Sequence, residues 1–142
     1  MLDYILKQLN AILTLSENVV NYDSDEAVHD FRVALRRFLT IYNLLRKQVE
    51  IPVDIATQVE VLRNLRTATN KLRDLEVLKQ HISEITFDTN FGEKGKANLF
   101  IILDKKIQKE HAEILNLLLN AELKEKITKI SEFFLNFQYD IS

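Results

Sequence analysis

The sequence lacks cysteine and tryptophan and has only two glycines and one proline in 142 residues. The absence of cysteine excludes disulfide scaffolds, thiol nucleophiles and thiolate metal sites. The scarcity of glycine and proline excludes collagen-like or linker-rich organisation and favours long helices with few connections. A hydrophobic fraction of 46% and a charged fraction of 28% are ordinary for one globular domain, which we expect to span residues 1–142.

Long hydrophobic runs are also missing. The longest clear run, Leu99–Leu103, is far shorter than the roughly 18 apolar residues of a membrane span. The first residues lack the basic start and the small-residue cleavage site of a secretory signal peptide. We therefore expect a soluble, cytoplasmic protein that does not contact a membrane.

Apolar residues recur at helical spacing along the chain, and no segment alternates like a strand. The pattern predicts an all-α fold, an antiparallel helical bundle of four to five long helices. Asp23 or Ser24 should cap the second helix, and Pro52 should begin the third. The segment from Thr86 to Gly95, which holds both glycines, is the clearest predicted loop. We expect helices over about residues 2–22, 24–48, 52–85, 96–119 and 122–136.

Positive charge is concentrated in one window of a slightly acidic chain of net charge −2. Residues 29–73 contain nine Lys or Arg against four Asp or Glu, a balance of +5, and they include all seven arginines. The remaining residues hold ten Lys against seventeen Asp or Glu, a balance of −7. Such sorting of charge predicts a site for an anion.

A helical wheel sorts the second helix into an apolar arc and a basic face. The arc contains Phe31, Ala34, Leu35, Phe38, Ile41, Tyr42 and Leu45. The opposite side carries His29, Arg32, Arg36, Thr40, Asn43 and Lys47, with Arg37 at its margin. Arg32 and Arg36 form a like-charge i,i+4 pair, which destabilises a helix that has no anionic partner.

The third helix repeats this arrangement. Leu62, Leu65, Ala68, Leu72 and Leu75 form its apolar side, and Arg63, Arg66, Asn70, Arg73 and His81 share a second face. If the two helices pack side by side, their basic rows border one groove. Arginine favours an oxyanion ligand, because the guanidinium fork matches phosphate oxygens in two-pronged fashion.

Two motifs carry a family resemblance. Residues 28–45, VHDFRVALRRFLTIYNLL, resemble the signature helix of the CHAD family: a His, then Arg-Val, then Arg-Arg, then a hydrophobic tail. Residues 62–78, LRNLRTATNKLRDLEVL, resemble the second signature, which ends in an Arg-Asp-Leu-Asp-Val-like run. The resemblance covers about residues 1–137 and corresponds to one of the two similar helical halves of a full CHAD domain.

CHAD domains are helical bundles that bind inorganic polyphosphate through basic residues, and the resemblance implies the same function here, without a cofactor. The resemblance implies that polyphosphate is bound by four residues of the first motif, His29, Arg32, Arg36 and Arg37. It implies the same role for Arg66 and Arg73 of the second motif. Arg63 joins this set of candidate polyphosphate-binding residues only through its position on the wheel. A homodimer, which would supply a second half by symmetry, is a further hypothesis.

Other functions receive weaker support from the sequence. Glu26 and His29 have the ExxH spacing of a di-iron site, but neither His81 nor His111 has a Glu three residues before it, so we expect no metal site. His111 is expected to be solvated, and Asp74 to orient a neighbouring basic side chain. No catalytic motif appears, so we predict a binding protein and not an enzyme. Nucleic acid is the nearest rival ligand, and a dimeric structural or protein-interaction bundle that has lost polyphosphate binding is the alternative function.

Overall fold

The computed structural model describes residues 2–22 and 24–141, which form five α-helices and no strand. The prediction of an all-α helical bundle is therefore confirmed. The helices are α1 (Leu2–Tyr22), α2 (Asp25–Leu45), α3 (Val53–Ser83), α4 (Asn90–Asn120) and α5 (Leu123–Ile141). None of these helices, over the residues described, is long and apolar enough to cross a membrane.

Capping residues explain where α2 and α3 begin. The side chain of Ser24 accepts a hydrogen bond of 3.1 Å from the backbone N–H of Ala27, so Ser24 is the N-cap of α2. Asp23, the other predicted cap, lies outside the described residues. Pro52 stands at the N-cap of α3, whose first helical residue is Val53, because its fixed φ suits the start of a helix.

The core forms where α1, α2, α3 and α5 meet. Helix α2 lies against α1 on one side and α3 on the other, and α5 packs against the same two neighbours. Five residues of the apolar arc predicted for α2 are buried: Phe31, Ala34, Leu35, Phe38 and Tyr42. Ile41 and Leu45 are partly buried at the edge of this core, and Leu39 joins it. The basic face of α2 therefore points away from the core.

The connection between α3 and α4 differs from its prediction. Helix α4 begins at Asn90 and not near Lys96, so both glycines lie inside its first turns and the loop is limited to residues 84–89. Thr89 caps this helix by accepting a 3.0 Å hydrogen bond from the N–H of Gly92. A side chain at Gly92 would stand only 2.7 Å from Cβ of Phe87, so glycine is required there for close packing and not for a loop.

Helices α3 and α4 extend beyond the core as a two-helix arm. None of residues 73–102, all of which the structure describes, is buried. We call this segment the α3–α4 hairpin. Its large exposed apolar side chains are Leu78, Ile85, Phe87, Phe91, Leu99, Ile101 and Ile102. Two helices without a third layer cannot enclose a core, so these side chains remain in contact with solvent.

The predicted break near Asn120 and Ala121 is present. Helix α4 ends at Asn120, and Glu122 adopts a positive φ of 47°, the left-handed conformation that reverses the direction of the chain. Helix α5 then returns to pack on α1 and α3. The long third helix, by contrast, is continuous from Val53 to Ser83.

Replacing Phe38 by Ala tests the core. Phe38 is 0% exposed, and its ring is tilted against that of Tyr42, with ring centroids 5.9 Å apart. We expect the Phe38→Ala variant to lose about 3–5 kcal/mol in free energy of unfolding, measured by urea denaturation. The matched control is Phe91→Ala, which removes the same ring from a site that is 87% exposed. The control should change stability by no more than about 0.5 kcal/mol, and equal losses in the two variants would contradict the assigned core.

Candidate functional site

The basic residues of α2 lie on its solvent-facing side. His29, Arg36 and Arg37 are exposed, and Arg32 is half-buried toward α3. Arg32, Arg36 and Thr40 follow one another at intervals of one helical turn, about 5.4 Å along the axis. Because the apolar arc of α2 is directed into the core, the cationic side chains occupy the solvent-facing side of the helix.

Two hydrogen bonds between α2 and α3 set the register of these helices. Nε of Arg32 donates to Oδ1 of Asn70 over 2.8 Å, and a terminal nitrogen of Arg63 donates to Oδ1 of Asn43 over 2.6 Å. The pairing is antiparallel, because the residue nearer the start of α2 contacts the residue nearer the end of α3. The structure therefore brings Arg32 and Asn43 of the first predicted row against Asn70 and Arg63 of the second, with Arg66 between these contacts along α3.

Some guanidinium groups on this surface are committed to protein partners. Besides Asn43, Arg63 contacts Glu60 at 3.5 Å, and its guanidinium carbon lies 5.7 Å from the centroid of the Tyr42 ring. Burial raises the pKa of Tyr42, although the charges of Arg63 and Arg46 oppose the increase. Arg63 therefore holds α2 and α3 together and has fewer donors left for a ligand.

Other guanidinium groups have no carboxylate partner. Among the residues whose side chains the structure describes, 2–21 and 24–137, Arg36, Arg37 and Arg66 take part in no salt bridge. Arg36 and Arg37 are exposed and adjacent in sequence, and Arg66 is half-buried on the neighbouring helix. Uncompensated like charges held at this spacing favour the binding of a mobile anion.

A groove extends the basic surface onto the other side of α2. It has a volume of about 540 Å³, and its walls include His29, Arg36 and Arg37 of α2 and Gln8 of α1. The wheel placed this row beside α3 and left Arg37 at its margin, whereas the structure places these three residues between α1 and α2. Gln8 was not predicted to line this groove, although a polar residue among the apolar positions of α1 could have indicated it.

Arg73 lies at the opposite, acidic end of the surface. It contacts Glu76 at 3.9 Å, and Glu76 lies beside Asp25 and His111. Burial, and then the charge of Asp25, raise the pKa of Glu76 against the lowering effects of Arg73 and His111. Arg73 is therefore partly neutralised by its own helix.

Three expectations from the sequence are wrong in this region. His111 is not solvated, since its side chain is mostly buried and its Nε2 lies 3.5 Å from a carboxylate oxygen of Asp25. Glu76, and not Asp74, is the acidic partner of Arg73. His81 does not join the rows, because Glu76 already reaches the first turn of α2 and His81 lies more than one turn further along α3.

Comparison with known proteins gives one result. The family model described as CHAD domain matches residues 3–137, nearly the whole chain. No curated protein and no solved structure matches.

The raised pKa of Glu76 predicts a specific pH dependence of stability. Above the ordinary Glu pKa of 4.5, the folded chain binds more protons than the unfolded chain, so the free energy of unfolding falls as pH rises through this window. A Glu76→Gln variant cannot ionise there. We expect its stability relative to the unmodified chain to increase as pH rises from below 4.5 toward neutral, in urea titrations with EDTA present.

Asp74→Asn is the control for this experiment, because Asp74 is an exposed carboxylate on the same helix. The measured quantity is the difference in free energy of unfolding between each variant and the unmodified chain at each pH. A difference for Glu76→Gln that stays constant or decreases with rising pH would contradict the assignment.

Proposed function

The chain belongs to the CHAD domain family, which is associated with polyphosphate binding, and we propose that it binds inorganic polyphosphate without catalysing a reaction. The observation that carries this proposal is the set of three guanidinium groups, on Arg36, Arg37 and Arg66, that form no salt bridge within the described parts of the chain. His29, Arg32, Arg63 and Arg73 complete the proposed binding surface.

The proposed mechanism is electrostatic capture of a flexible polyanion. Phosphates along the chain of the ligand would contact successive turns of α2, where Arg32 and Arg36 are one turn apart. Guanidinium groups donate paired hydrogen bonds to phosphate oxygens, and displacement of counterions adds a favourable term that decreases with salt. Arg32 keeps its two terminal nitrogens for this role, because only its Nε donates to Asn70.

Binding without catalysis agrees with the chemistry of these side chains. Six of the seven proposed residues are arginines, which stay protonated at all accessible pH values and cannot serve as general bases. Nucleic acid is a weaker candidate than polyphosphate, because base stacking requires accessible aromatic rings. Tyr42, the aromatic residue nearest to Arg63, is buried beneath that guanidinium group.

A titration with long-chain polyphosphate tests the proposal. We expect salt-sensitive binding by calorimetry, and replacing both Arg36 and Arg37 by Ala should weaken it at least about tenfold at low salt, equivalent to about 1.4 kcal/mol. The matched control replaces Lys105 and Lys106 by Ala. These are also adjacent and exposed, so the same net charge is removed from α4.

The control separates a local site from general attraction. Equal weakening by the two double variants would show that only net charge matters, and absence of binding at low salt would contradict the proposal. Single-stranded DNA of equal phosphate content serves as competitor. Displacement of polyphosphate by DNA at equal phosphate concentration would favour nucleic acid as the ligand.

The exposed hairpin supports a second candidate, in which the chain is a homodimer. Seven large apolar side chains are exposed along residues 73–102, whereas surface apolar residues on a monomer are usually scattered singly. We propose that a second copy of the chain covers this surface. In a dimer with a two-fold axis, both copies would contact each other through these same hairpin residues.

Light scattering distinguishes the two states. A dimer gives twice the chain mass of 16.6 kDa, and replacing both Ile101 and Ile102 by Ser should return the mass to that of one chain. The control replaces Leu117 and Leu119 by Ser. These are also exposed on α4 but lie outside the hairpin, so the dimer should persist. A single-chain mass for the unmodified protein at micromolar concentration would contradict the dimer.

A further inference from the structure

We propose that Asp25, Glu76 and His111 form a binding site for a divalent transition-metal cation such as Zn²⁺. The three residues come from the first turn of α2, the last third of α3 and the second half of α4. One ligand atom from each lies within 4.8 Å of the other two. The site adjoins the proposed polyphosphate surface at Arg73, which contacts Glu76, but its existence does not depend on the proposed function.

The distances fit a cation after a small adjustment. Zn²⁺ binds imidazole nitrogen and carboxylate oxygen at about 2.0–2.2 Å, so neighbouring ligand atoms stand about 3.0–3.5 Å apart. Nε2 of His111 and Oδ1 of Asp25 are already 3.5 Å apart. The side chain of Asp25 is 81% exposed and can rotate, whereas Glu76 and His111 are held by the surrounding helices.

One carboxylate oxygen in the cluster lacks a hydrogen-bond donor within the described part of the chain. Oε1 of Glu76 is buried and accepts no hydrogen bond from the part of the chain that the structure describes. Its partner oxygen, Oε2, contacts Arg73 at the long distance of 3.9 Å. Burial of a charged oxygen without a donor is unfavourable, and a cation bound there would satisfy it while Arg73 kept its contact.

The donor set selects the class of metal. One imidazole with two carboxylates suits Zn²⁺ and similar borderline cations, whereas Mg²⁺ and Ca²⁺ prefer oxygen ligands alone. The site is also reachable, because Asp25 and Glu76 line an open pocket of about 440 Å³ together with Arg73 and Lys79. Nζ of Lys79 pairs with the carboxylate of Asp104 at 2.6 Å, so Lys79 is engaged outside the cluster.

This site is tested by calorimetry with Zn²⁺ alone. The titration uses the metal-free chain in the absence of polyphosphate. We expect one Zn²⁺ per chain, no comparable binding of Mg²⁺, and at least tenfold weaker binding after His111→Gln or Glu76→Gln. Loss of even an outer partner of a metal ligand typically weakens binding about 10–100-fold, which sets this lower bound.

Matched variants keep the result specific. His81→Gln and Asp74→Asn remove the same groups from exposed positions on α3 and should bind Zn²⁺ as the unmodified chain does. Circular dichroism establishes that each variant is folded, and the visible absorption of bound Co²⁺ reports the ligand set. Absence of Zn²⁺ binding at micromolar concentration, or equal binding by His111→Gln and His81→Gln, would overturn the proposal. Loss of binding in His29→Gln with retention in His111→Gln would also overturn it.

Discussion

The burial of one apolar arc on α2 is the constraint on which the rest of the structure depends. Phe31 and Phe38 are fully buried between flanking helices, and this fixes the rotation of α2 about its axis. Every residue on the opposite arc must then face solvent. The arginines therefore collect on one surface because the hydrophobic core occupies the other side, and the repulsion among them is offset by that core.

The sequence predicted most of this core and the solvent-facing side of α2, because helical periodicity determines which side chains share a face. It could not predict that the groove beside His29 and Arg37 is completed by α1, since that depends on which helices become neighbours. The start of α4 was misplaced because glycine usually indicates a loop, whereas Gly92 is required by the tertiary contact with Phe87. The cluster of Asp25, Glu76 and His111 leaves no spacing motif, because its members come from three helices.

The molecule separates its charges along the contact between α2 and α3. Away from the acidic end, Arg66 on α3 and Arg36 and Arg37 on the α1-facing side of α2 form no salt bridge within the described side chains. At the acidic end, Arg73 meets Glu76 and Asp25. The same antiparallel register produces both features, and Arg73, which contacts Glu76, lies where they adjoin.

The α3–α4 hairpin has a consequence for the dynamics of the chain. Its residues 73–102 contribute no fully buried side chain, so opening this arm exposes less apolar surface than unfolding the core does. It is therefore a unit that can unfold locally while α1, α2, α5 and residues 53–72 of α3 stay folded. Amide hydrogens in the arm should exchange through this local opening, at rates independent of the global stability set by the core.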